Sequence, residues 1–343
     1  MSDSVIVGYS GGIDSTAVAV DLMEQGYDVI PVTLILTEGK SVKKKAMEGA
    51  GRIGLSPVFI DRRELFKKRI MDYFAHSYAE GMTPNPCAMC NRLIKFPLLR
   101  EFACKNAAGR FTTGHYVQIK DKHICKASDR SKDQSYFLST VKKTDLSGFV
   151  NTRNATVSKK DNIEFLKKRK IQMDYSDESQ EICFIKNDYT DFLREYYDFS
   201  SKKGDFIDTS GNVIGSHNGY FNFTVGQRKG FKKGFNRRMY VKDIDAASNR
   251  IMLAPREQML FAGLEMSIIE EFDDIDYDEL TVKIRYRHRG TGIKHLQCVT
   301  GQCRLHFDRP AAFVSPGQIA AVYHKDRVVM SGIITEKLNE EAV

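Results

Sequence analysis

No apolar run in this 343-residue chain approaches the length needed to cross a bilayer, and a membrane is not an expected partner. The first residues, MSDSVIVGYS, show no basic region followed by an apolar one, so the expected location is cytoplasmic. No segment repeats, and no tract is of low complexity. Cysteine is odd in number, seven, with a single C-x-x-C pair, Cys87 and Cys90. A four-cysteine zinc site of the usual paired kind needs a second such pair, so zinc is not expected. A large chain with no leader does not call for a disulfide framework either, and the expectation is thiol chemistry or metal binding.

What is there is ordinary for a soluble globular protein, with 42% hydrophobic and 28% charged residues. The net charge of +8 is uneven: residues 85–192 carry 20 Lys/Arg against 13 Asp/Glu, or +7. A basic middle section suits a polyanion, although a solvated surface is the plainer meaning of charge alone.

The first half alternates β-rich runs (SVIVGY, DVIPVTLIL, SPVFIDRR, RFTTGHY) with helical patterns at 14–25, 40–54, 63–79 and 91–107. Such alternation predicts an α/β, doubly wound parallel sheet with helices on both faces. From about Gly204 short β segments broken by Gly and Asn suggest a small central domain. From about Leu260 further short strands suggest a C-terminal antiparallel β-barrel, with the basic run Lys283–Arg289 read as one of its strands. The expected domains are 1–199, 200–258 and 259–343.

Between the first strand and first helix lies GYSGGIDS, Gly8–Ser15. Backbone N–H groups and the positive end of a helix dipole converge at such a turn, and glycine admits close approach of an anion. The lysine of a G-K-[ST] phosphate loop is missing, and so is the third glycine of a dinucleotide fingerprint. SGGIDS resembles instead the PP-loop of N-type ATP pyrophosphatases. That resemblance implies ATP, with Mg²⁺ on its pyrophosphate, and adenylation of a substrate oxygen.

The second informative stretch is GMTPNPCAMCNRLIKF. Pro84 and Pro86 fix an extended loop, and Cys87 and Cys90 stand where a helix begins, with Arg92 and Lys95 nearby. Thiols so placed are expected to have a lowered pKa. Cys183, in SQEICFI, reads alone as a core residue.

Taken together, TPNPCAMCNRLIKF, TTGHY, KDQSYFLS, SQEICFI, GDFIDTSGNVIGSHNG, FTVGQRKG, KIRYR and SPGQIAAVY resemble successive landmarks of the tRNA-specific 2-thiouridylase (MnmA) family, in its order and across the chain. The resemblance implies a PP-loop (HUP-like) domain and an ATP-dependent sulfurtransferase. Such an enzyme adenylates the C2 oxygen of a wobble uridine and replaces it with sulfur. It implies Cys90 as nucleophile, Cys183 as persulfide carrier, and tRNA and an upstream sulfur donor (a cysteine desulfurase or relay protein) as partners; DNA is not among them. Gly8, Tyr9, Ser10, Gly11, Gly12, Ile13, Asp14 and Ser15 would hold ATP, with Leu34 and Gly114 at the adenine. Asn85, Pro86 and Cys87 would face the target base. His115, Lys132, Asp133, Gln134, Arg285, Tyr286 and Gln318 would contact tRNA.

Two mechanisms stay open. Two thiols can carry the sulfur and then release it, resolving a disulfide. Alternatively, with Cys87 where some members carry aspartate, Cys87, Cys90 and Cys183 could ligate a [4Fe–4S] cluster with one open iron. GQRKGFKKGFNRR places six basic residues within Arg228–Arg238, with phenylalanines between, a pattern that suits phosphate contact and stacking on RNA although a charge run is more often a solvated face. The chain departs from the family after the second strand (TEGKSVKKKAMEGAGRIG) and over 145–178, where Phe-Pro-Leu-Gly followed by Thr-Lys is expected. Those departures keep alive a PP-loop paralogue acting on another RNA or a small molecule.

Overall fold

The computed structural model describes residues 3–175, 182–231, 235, 237–272 and 278–339. The chain forms two compact units, residues 1–70 with 87–183 and 326–329, and residues 71–86 with 184–325 and 330–343.

In the first unit four parallel strands lie in the order β3 (Val58–Asp61), β2 (Asp28–Ile35), β1 (Ser4–Gly8), β4 (Phe111–Thr113). β1, β2 and β3 are each followed by helix, as the alternating pattern requires, whereas β4 runs on into a hairpin of Val117–Lys120 and His123–Lys126. α1 (Ile13–Glu24) and α2 (Ser41–Gly51) follow β1 and β2. Val5, Val7, Val18, Leu22, Val29, Ala46 and Ala50 form the core between sheet and helices. The central β1 is buried from Val5 to Val7, which is why its sequence is continuously apolar.

The divergent segment after residue 145 is part of this unit. Ser158 caps α3 (Lys159–Lys168) through a capping box with Asp161. Leu166 packs with Ile13, Ala17 and Val20 of α1, and Ile163, Phe165, Ile171, Met173 and Tyr175 extend that cluster.

The second unit holds two sheets. The smaller has strands Val213–Asn218, Lys203–Ile207, Arg250–Pro255 and Met239–Asp245 in spatial order, around Phe206, Phe223, Val241, Ile251 and Leu253. The larger is a closed antiparallel six-stranded barrel. Its first strand, Leu260–Glu271, pairs with Gln302–Ala312 on one side and with Met330–Leu338 on the other. The expectation of a basic strand over Lys283–Arg289 is corrected here: the strand ends at Lys283 and the chain turns, with the His288 N–H donating to the Arg285 carbonyl at 3.0 Å.

A disulfide joins Cys298 and Cys303, which face each other across the hairpin between Thr291–Val299 and Gln302–Ala312. Thr300 and Gly301 both have positive φ, the geometry of a tight two-residue hairpin turn. Lys232, Lys233, Gly234 and Asn236 of the basic run, and Asp273–Tyr277 of the acidic stretch, lie outside the described residues.

Candidate active site

The loop after β1 is shaped by its glycines. Gly11 sits at φ +73°, and a Cβ there would fall 2.3 Å from the Lys45 carbonyl oxygen of α2. No side chain caps α1, whose N-cap is Gly12. Its N-terminal turn is therefore available to an anion in the way the motif anticipates. Ser10 and Ser15 are joined Oγ to Oγ at 3.1 Å, and Ser10 Oγ accepts the Gly12 N–H at 3.3 Å. Tyr9 is buried, its hydroxyl 2.9 Å from Thr16 Oγ1. Gly114 follows β4 so closely that a Cβ would lie 3.0 Å from the Ser15 nitrogen. Leu34, half-buried, is in the last turn of side chains of β2. Loop, Leu34 and Gly114 thus share the carboxyl end of the sheet, where doubly wound folds bind ligands.

The second group stands on a nearly continuous helical run, Pro86–Cys90, a π turn Asn91–Lys95, and Phe96–Lys105. Cys87 and Cys90, three apart, lie on one face. The i→i+5 pattern of the π turn brings Lys95 round to that face, where a regular helix would carry it away. Asn91 Nδ2 donates to the Phe137 carbonyl at 3.1 Å, and Thr140 Oγ1 donates to the Ala88 carbonyl at 3.1 Å, fixing the run in place. Cys183, distant in sequence, joins the same group: Lys95 acts electrostatically on all three sulfurs, and Cys90 feels both other cysteines.

Cys90 is buried, whereas Cys87 and Cys183 are exposed free thiols. Burial pushes the Cys90 thiol up to about 12 against the opposing pull of Lys95. Cys87 and Cys183 are raised for the same reason: each residue is exposed in part, but the protein crowding its thiol desolvates it. The expected lowering is thus corrected, because the sequence shows the cations beside a thiol and not the protein around it. Lys95 has no hydrogen-bond or ion-pair partner among the described residues; burial works against its charge, and the three sulfurs, when ionised, outweigh burial and raise its pKa. His115 lies within its field. Burial, then Lys95, push the imidazole down to about 3, so it is neutral, with Nδ1 2.8 Å from Thr113 Oγ1. Among the described residues no group of three His, Cys, Asp or Glu is arranged to hold a metal ion.

Asn85 is buried, at the end of the loop whose Thr83 and Pro84 carbonyls accept from Gln318 Nε2 at 3.0 and 3.1 Å. Gln318 therefore shapes that loop. Asp133 is buried and spends its carboxylate on the Ala127 and Ser135 N–H groups and the Ser135 hydroxyl. Gln134 Oε1 accepts from the Tyr116 N–H at 2.9 Å, and Lys132 is half-buried. Arg285 is exposed, its guanidinium 5.3 Å from the Phe313 ring centre, and Lys283 stands 5.9 Å from that of Tyr286.

Tyr116, Arg153, Asn154 and Asn162 were not anticipated. Their signal was slight: Asn162 is a polar residue on the buried stripe of α3, one turn from Leu166.

Comparison with known proteins matches residues 3–187 to the tRNA methyl transferase HUP domain. Residues 190–255 match the tRNA methyl transferase PRC-barrel domain, and 265–334 the aminomethyltransferase beta-barrel domain. The tRNA-specific 2-thiouridylase MnmA of Campylobacter concisus is 33% identical over 338 residues, 96% of this chain and 99% of the relative. Those of Sulfurimonas denitrificans and Synechocystis sp. are each 32% identical, over 98% and 100% of this chain and 100% and 99% of theirs. With the nucleotide-type loop, the three grouped cysteines and the barrel in one chain, and relatives of this identity along its whole length, the protein belongs to the tRNA-specific 2-thiouridylase MnmA family.

Proposed function

We propose that the protein thiolates tRNA, using ATP to activate the C2 oxygen of the wobble uridine and a cysteine persulfide to replace it. The observation that carries this reading is the gathering of Cys87, Cys90 and Cys183 around the Lys95 ammonium, in the unit that also contains the Gly8–Ser15 loop. ATP would place its pyrophosphate at the N-terminus of α1, with Mg²⁺ sharing its charge, and Leu34 and Gly114 beside the base. The uridine oxygen then attacks the α-phosphorus and pyrophosphate leaves. The terminal sulfur of a Cys183 persulfide attacks C2, and AMP departs with the oxygen. Cys90 next attacks the inner sulfur of Cys183, so the electrons of the broken S–S bond return to the new C2–S group. The resulting Cys90–Cys183 disulfide is reduced by an external dithiol. An upstream donor, a desulfurase or relay protein, reloads Cys183.

Lys95 supports the persulfide route over a cluster, since its ammonium acts on the very sulfurs that would ligate iron. The divisions 1–199, 200–258 and 259–343 serve as thiolation, central and RNA-contacting domains in this reading. Asn85, Pro86 and Cys87 face the base, and His115, Lys132, Gln134, Arg285 and Tyr286 contact RNA, with Asp133 and Gln318 holding the contact loops.

The test is nucleoside mass spectrometry on unmodified tRNA incubated anaerobically with protein, ATP, Mg²⁺ and a persulfide donor, with and without prior iron reconstitution. Formation of 2-thiouridine without iron, lost in Cys90→Ala and in Cys183→Ala, is the expected result. Thiolation that requires iron would replace the persulfide route by the cluster. ATP cleavage with no thiolated base would point to another substrate.

A further inference from the structure

Asn162 sits in the segment where the sequence departs from its family, yet it is fully buried and its side chain ends at the nucleotide loop. Arg153 Nε donates to Asn162 Oδ1 at 2.7 Å. A guanidinium can only donate, so this bond fixes which end of the amide is oxygen and turns the NH₂ the other way. That NH₂ donates to Asn154 Oδ1 at 2.7 Å and to the Tyr116 hydroxyl at 3.0 Å, and reaches Asp14 Oδ1 at 3.5 Å. With its own proton Tyr116 donates to Asp14 Oδ1 at 2.6 Å. Arg153 is held in turn by Asp21 at 3.3 Å and by the Phe165 ring, 3.6 Å away. Asn154 Nδ2 donates to the Gly114 carbonyl at 2.8 Å.

The carboxylate at the end of this chain stands in the first turn of α1. A negative side chain there is attracted to the same helix terminus that an incoming phosphate would use. Left unheld, it competes for the seat. Tyr116 and Asn162 tie it aside while Asn154 ties Gly114 behind the loop. We propose that Asn162 is a positioning residue for nucleotide binding, acting through the Tyr116–Asp14 pair to keep the Asp14 carboxylate out of the phosphate seat. The inference rests on the reading of Gly8–Ser15 as an ATP site.

The experiment is calorimetric titration of the full-length protein with α,β-methylene-ATP and Mg²⁺, without RNA. Four proteins are compared: wild type, Asn162→Ala, Tyr116→Phe and the double variant. Tyr116→Phe removes one oxygen and keeps the ring, so it reports on the latch even where Asn162→Ala loosens the packing of α3. Each single change is expected to weaken the analogue about tenfold, the scale of a lost hydrogen bond to a charged group. Because the two act in one chain, the double variant should stay near tenfold and fall well short of their product. Binding of unmodified tRNA in the absence of nucleotide should be unchanged in all four. Unaltered analogue affinity in Tyr116→Phe, or losses that multiply, overturns the latch while leaving the ATP site standing. Failure of the wild type itself to bind the analogue overturns both.

Discussion

At Cys90 two effects of opposite sign meet: burial disfavours the thiolate, and the Lys95 ammonium favours it. Burial wins, leaving the resting thiol protonated near neutral pH, which protects a nucleophile until a substrate arrives. Well below its pKa the thiolate fraction rises tenfold per pH unit. Alkylation of Cys90 by iodoacetamide, read by peptide mass spectrometry, should therefore climb about tenfold per unit between about pH 7 and 9 with no plateau. Lys95→Met removes this favourable charge and should slow that reaction by roughly a further tenfold, equivalent to one pKa unit. The exposed thiol of Cys104 serves as internal control. A plateau near pH 8 would mean that burial does not dominate, and an unchanged rate in the variant would mean that the ammonium is not felt at the sulfur.

Between β1 and α1 the two adjacent glycines do different work. Gly11 has positive φ and no space for a Cβ, with the Lys45 carbonyl oxygen 2.3 Å from that position. Gly12 is extended, and its nearest neighbour would be Ser10 Oγ at 3.4 Å. Gly11→Ala should cost more than about 1 kcal/mol of stability, because alanine strains at positive φ. Gly12→Ala should leave stability close to wild type and act, if at all, on nucleotide affinity. Thermal melts of the two variants, run beside analogue titrations, separate these roles; equal melting losses would refute the distinction. The motif SGGIDS already announced a strand, a tight turn and a helix, because those needs are local. The three-thiol group was legible only in part. The spacing of Cys87 and Cys90 is a helical spacing, but nothing local says that Cys183 returns to them or that a π turn swings Lys95 onto their face. Asn162 was the least legible residue, since its partners Arg153, Tyr116 and Asp14 are assembled by the packing of α3 on α1.

Over the whole molecule the net charge of +8 poses a question of magnitude, because a solvated surface and a phosphate-binding one have the same composition. They differ in response to salt. Each phosphate that a protein neutralises releases counterions, and log affinity falls with log salt by about 0.7 to 0.9 per contact. Arg285 and Arg287 are exposed in the turn that follows the strand Leu280–Lys283, and Arg228 and Lys229 are exposed at the start of the second basic run. If both groups meet tRNA, binding should weaken at least tenfold, and more nearly a hundredfold, between about 50 and 200 mM salt. Paired replacement of Arg285 and Arg287 by alanine should then lower the steepness of the log–log plot by roughly one to two units, as should replacement of Arg228 and Lys229. These exposed residues have little bearing on the fold, so the variants should melt as the wild type does. A slope that both pairs leave untouched would assign the basic excess to solvation and move the RNA grip elsewhere, Lys132 being the next residue to replace.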